Sequence, residues 1–115
     1  FYETALMQID KEFYDLAAFS LEQSLQLYLK AVLLKRGFDY PRTHSVKRLL
    51  ELIYEISGEK EIIRLLNDYM IELALLEDVY ITSRYISREY SREEVLKLKK
   101  VVDEVIKTVR ETIDR

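Results

Sequence analysis

Three groups of side chains in this 115-residue chain combine residue types and spacings that could do chemistry. The first is Gln23, Gln26 and Lys30, whose spacings of three, four and seven put them on one face of a helix. A lysine and two amides on an otherwise apolar segment must find partners or water. They form either a polar strip that reaches the surface along the lysine stem, or a donor array facing a groove and suited to a phosphate or a base edge. The second is His44, the only histidine and the only side chain here that ordinarily takes up and releases a proton near neutral pH. It serves either that role or a structural one, bonding to backbone or a neighbouring side chain. The third is the run Tyr80, Arg84, Tyr85, Arg88, Tyr90 and Arg92. Arginine offers a planar, permanently charged fork for phosphate, and tyrosine can stack on a base. Both are also favoured at protein interfaces, so the run points to a nucleotide, to a protein partner, or to a solvated loop.

Other chemistries are poorly served. With no cysteine there is no disulfide, thiolate metal site or sulfur nucleophile. One histidine cannot make a two-histidine metal motif, and the carboxylates read as solvated helix faces, so neither metal nor cofactor is expected. A glycine-rich phosphate loop, a nucleophile elbow and a dinucleotide fingerprint are all missing, and no catalytic residue is assigned. A net charge of −3 gives no overall basic field, so DNA is not an expected partner. No apolar run nears the ~20 residues of a membrane span, and no leader peptide is visible. A cytoplasmic setting without membrane attachment is the expectation.

The elements that must position these groups are helical. Only two glycines and one proline interrupt 115 residues, too few for the turns of a strand-rich fold. The pattern predicts one all-α domain, an up-and-down bundle of four to five helices. A short opening piece covers Tyr2 to Ile9, and Asp10 is placed to cap a long helix over Lys11 to Arg36. That helix is apolar around most of its circumference, which marks a central helix, and Gly37 ends it. After a loop stiffened by Pro41, Thr43 is a good N-cap for a helix over His44 to Ser57. A single helix is expected over Glu59 to Ser83, with Ile62, Leu65, Leu66, Tyr69, Leu73, Leu76 and Tyr80 as its buried stripe. Arg84 to Tyr90 reads as irregular. Ser91-Arg92-Glu93-Glu94 is a capping box opening a last helix to about Thr112.

On these features the chain resembles the HEPN domain family. The carrying residues are Ala18-Phe19-Ser20-Leu21-Glu22-Gln23-Ser24 with Lys30-Ala31, then Pro41-Arg42-Thr43-His44-Ser45-Val46, then Tyr80 with Arg84-Tyr85. They follow, in order and over nearly the whole chain, the family's Gln-Ala-x-Glu-x-x-x-Lys-Ala run, its histidine-opened helix and its Tyr-x-x-x-Arg-Tyr-Pro element. The resemblance implies a helical bundle that commonly forms homodimers, beside or fused to a small nucleotidyltransferase partner, where it binds substrate or acts as a toxin. It implies a nucleotide or small phosphorylated ligand and carries over Gln23, Gln26, Lys30, His44, Arg84 and Tyr85 as ligand-binding positions. Many relatives are ribonucleases with an arginine and a histidine separated by four to six residues late in the chain. Here no histidine follows Arg84, Ile86 stands where the family has proline, Gln26 where it has glutamate, and Ser24 where it commonly has alanine. The reading is therefore a binding module, with a variant-site ribonuclease and a purely structural interaction bundle as the alternatives.

Overall fold

A computed structural model describes residues 2–40, 42–85 and 89–113, with backbone only for 83–85. Six helices stand among these residues: α1 Tyr2–Asp10, α2 Tyr14–Lys35, α3 Val46–Ser57, α4 Lys60–Asp68, α5 Met70–Tyr85 and α6 Arg92–Thr112. No strand occurs among the described residues. The chain is a helical bundle, with six helices among the described residues where the sequence suggested four to five.

The organising element is α2. Its 22 residues, at 1.5 Å each, measure about 33 Å, nearly the 38 Å long axis of the molecule. It packs against α1, α3, α5 and α6, so it is central, as its apolar composition implied. The burial is nevertheless one-sided. Ala17, Leu21, Leu25, Leu29, Val32 and Leu33 lie in the core, whereas Phe13, Leu16, Leu27 and Leu34 stay about half exposed. The core is completed by Leu49, Leu50 and Ile53 of α3, Ile62 and Leu65 of α4, Leu73, Leu76 and Val79 of α5, and the α6 stripe from Val95 to Val109.

The helix ends correct several expectations. Asp10 closes α1, and α2 has Phe13 at its N-cap without a side-chain bond. The reversal between them passes through Glu12 at φ +62°, so α2 begins at Tyr14 and not at Lys11. Gly37, at φ +83°, ends the segment as expected, and the Phe38 amide returns to the Leu33 carbonyl at 3.0 Å. Ser45, and not Thr43, caps α3: its Oγ accepts from the Arg48 amide at 3.1 Å. Thr43 Oγ1 accepts instead from the Ser45 amide at 3.1 Å. His44 therefore precedes the helix, and Pro41 lies outside the described residues. The Ser91–Glu94 capping box is formed in both directions, at 3.0 and 3.1 Å.

The single helix expected over Glu59 to Ser83 is two helices, broken at Tyr69, whose ψ of +27° leaves the helical well. Hydrogen bonds run on either side of the break, from Tyr69 N to Leu65 O at 3.0 Å and from Leu73 N to Tyr69 O at 2.8 Å. The break lets α4 pack against α3 and α6 while α5 packs against α2, α3 and α6. The helical backbone of α5 also continues through Arg84 and Tyr85, which the sequence reading had assigned to a loop.

Candidate functional site

The polar residues of α2 meet the α3 entrance and α5 around one buried carboxylate. Glu22 is 0% exposed. Its Oε1 accepts from Gln23 Nε2 at 2.6 Å and its Oε2 from Gln26 Nε2 at 2.7 Å. The amides thus point along their own helix toward Glu22, a use that neither the surface-strip nor the donor-array reading foresaw. The view of all the carboxylates as solvated helix faces fails at Glu22 for the same reason. Burying a carboxylate is costly unless donors converge on it, and these two glutamines supply such donors.

Gln26, 5% exposed, is the hub. Its Oε1 accepts from Lys30 Nζ at 2.8 Å and faces His44 Nδ1 at 3.3 Å. An amide oxygen is only an acceptor, so this contact assigns the ring proton to Nδ1. Gln26 Nε2 also reaches the His44 carbonyl at 3.4 Å, tying the loop before α3 to α2. The exposed His44 ring stacks on Tyr80 of α5, with centroids 4.1 Å apart and planes 15° from parallel. One residue on, Ser45 Oγ donates a short hydrogen bond to Glu77 Oε1 while it caps α3. The α3 entrance is thereby pinned to both α2 and α5.

Lys30 is the group best placed to meet a ligand. It is half-buried, its ammonium is held by the neutral Gln26 oxygen, and the Tyr40 ring lies 5.1 Å away. No carboxylate among the described residues pairs with it. Glutamate at position 26 would compensate that charge; glutamine leaves it available to an external anion. Of the six positions singled out from the sequence, Gln23, Gln26, Lys30 and His44 form one cluster. The side chains of Arg84 and Tyr85 lie outside the described residues. On the α5 backbone Arg84 follows Tyr80 by four residues and Glu77 by seven, which places all three positions on one helix face.

The cluster also contains Glu22, Ser45, Glu77 and Tyr40, which the sequence reading did not place in a site. The signal for Glu22 was present, because it precedes Gln26 by four residues on a helix whose other inward positions are mostly apolar. Ser45–Glu77 joins residues 32 apart and had no local signature. Among the described residues no group of three metal-ligating side chains comes together, and no helix is long and apolar enough to cross a membrane.

The motif order of α2, the α3 entrance and α5 is thus a spatial cluster as well as a pattern. A family model described as the HEPN domain matches residues 1–112. The chain belongs to the HEPN family. Comparison with curated proteins found no match, and neither did comparison with solved structures. In this HEPN domain the lysine of the Lys-Ala run and the histidine before α3 meet at Gln26, the position at which the sequence departs from the family glutamate, and the α5 tyrosine stacks on that histidine.

Proposed function

We propose that this HEPN domain is a nonenzymatic module that binds the phosphate of a nucleotide or of another small phosphorylated substrate. In this reading it acts as a homodimer beside a small nucleotidyltransferase. The observation that carries the binding is Lys30, an oriented, half-buried ammonium whose hydrogen-bond partner among the described residues is the neutral Gln26. Charge-assisted contacts from lysine to phosphate are among the stronger hydrogen bonds. The flanking rings of Tyr40 and Tyr80 offer stacking surfaces for a base. The homodimer draws support from α2. Leu16, Leu27 and Leu34, each about half exposed, share a stripe with Gln23 and Lys30 at successive spacings of seven, four, three and four. An exposed apolar stripe with a polar cluster inside it suits an interface that borders a ligand site. Titration calorimetry with nucleoside triphosphates at low salt tests the binding. The parent should give a saturable binding component that Lys30→Ala removes; equal binding by both would remove Lys30 from the site.

The ribonuclease reading keeps one specific support. His44 stacks on Tyr80, and the Arg84 backbone lies one turn further along α5, about 6 Å in rise. Cleavage of short RNAs by the parent, lost in His44→Ala with the fold intact, would replace the binding-module reading with this one.

A further inference from the structure

We infer that the groove between the start of α1, the middle of α2 and the C-terminal half of α6 is a second ligand site, for a small aromatic phosphate of mononucleotide size. The groove encloses about 600 Å³, within the usual range for small-molecule sites. Tyr2, Tyr28 and Ile106 line it, together with the exposed cations Lys107 and Arg110. The Tyr2 ring is fixed in place. Its hydroxyl donates a short hydrogen bond to Asp103 Oδ1, and Lys99 Nζ holds Asp103 Oδ2 at 2.7 Å. Asp103 is thus engaged on both oxygens, and the remaining rim acid, Glu111, has an interaction of its own. Lys107 and Arg110 are exposed, and neither has a hydrogen-bond or ion-pair partner among the described residues.

Positions 103, 106, 107 and 110 recur at three, four and seven residues, so one face of α6 presents the Asp103 anchor of the Tyr2 ring, Ile106 and the two cations. A ring between Tyr2 and Tyr28 would leave an attached phosphate at the rim, within the sweep of the Lys107 and Arg110 side chains. Arginine supplies the planar fork and lysine the mobile point charge that such a group recognises. No residue of this groove belongs to the Lys30 cluster, so the two sites stand or fall separately.

The test is a titration of the isotope-labelled protein with AMP, followed by amide chemical shifts, on the parent, a Lys107→Ala/Arg110→Ala variant and Lys30→Ala. Both groove positions are exposed and unpaired, so the double variant should fold as the parent does. The expected result is saturable shifts around Tyr2, Tyr28 and Ile106, weakened at least tenfold in the groove variant and unchanged in Lys30→Ala. Adenosine and inorganic phosphate should each bind there more weakly than AMP. Shifts confined to the neighbourhood of Lys30, equal affinity in parent and groove variant, or no shift at the groove would each overturn the proposal.

Discussion

At the scale of single residues, Gln26 decides how the cluster works. One amide donates to Glu22 and accepts from Lys30 and His44, which no carboxylate or hydrocarbon could do with the same balance of charge. Gln26→Met keeps the volume but removes one donor from buried Glu22 and the acceptor that holds the Lys30 ammonium. Leaving a buried polar group unsatisfied costs about 1–3 kcal/mol, so urea denaturation should show a loss of about 2 kcal/mol or more. Gln23→Met, which removes one donor from a half-buried position, should cost about 1 kcal/mol. The sequence identified the partners here but not their connections. Gln23, Gln26, Lys30 and His44 stood out because polar groups on an apolar helix need an explanation. Glu22 did not, because a lone glutamate in a charged sequence usually faces water.

At the scale of elements, caps and breaks differ in how openly the sequence announces them. The Ser91–Glu94 capping box was legible because its four residues carry the whole device. The cap of α3 was misplaced by two residues. Thr43 and Ser45 are both competent caps, and the choice is made by Glu77 on a distant helix, which takes the Ser45 hydroxyl. The break at Tyr69 was not legible at all. The apolar stripe Ile62, Leu65, Tyr69, Leu73 and Leu76 runs through it without glycine or proline, and tertiary packing of α4 against α3 and α6 sets the bend. These origins separate two substitutions. Ser91→Ala loses a solvent-exposed cap and should cost about 1 kcal/mol. Ser45→Ala loses a cap and also removes the partner of half-buried Glu77, so about 2 kcal/mol is expected. Thermal or chemical unfolding of the two variants checks the order; equal losses would mean that the Ser45–Glu77 bond contributes nothing.

At the scale of the whole molecule, α1 is tied to α6 by Tyr2, Asp103 and Lys99. Burial, together with the hydrogen bond to Asp103 and its negative charge, pushes the Tyr2 phenol above its ordinary value. The hydrogen bond to Asp103 likewise raises Lys99. Both groups hold their protons more tightly in the folded chain than in the unfolded one. Their contribution is therefore complete below about pH 10 and is lost as pH rises through the folded values. The ion pair is about a third exposed, at 31% and 38%, so after solvent screening the effect is no more than about 1 kcal/mol. Stability measured from pH 8 to 11.5 should fall less steeply in Tyr2→Phe than in the parent; identical slopes would contradict the linkage. The other whole-molecule prediction concerns assembly. If the α2 stripe joins two copies, Leu27→Glu with Leu34→Glu should convert a dimer to a folded monomer in light scattering, because both side chains are already about half exposed in the single chain. A parent that is monomeric at high concentration would refute the homodimer. Helical class and family were readable over the whole chain because pattern and motif order are spread along it. The one-sided exposure of α2 was not, because a helix apolar nearly all round does not show which of its faces lacks a neighbour.

The central claim, that Lys30 holds a phosphate, is tested most directly by thermal unfolding of the Lys107→Ala/Arg110→Ala variant, with and without Lys30→Ala, in the presence of a nucleoside triphosphate at low salt. A ligand at 100 times its dissociation constant adds about 2.7 kcal/mol, which in a domain of this size raises the midpoint by roughly ten degrees. The account predicts that shift in the double variant, and its loss when Lys30→Ala is added. An undiminished shift when Lys30→Ala is added, or none in the double variant with any nucleotide, would contradict it.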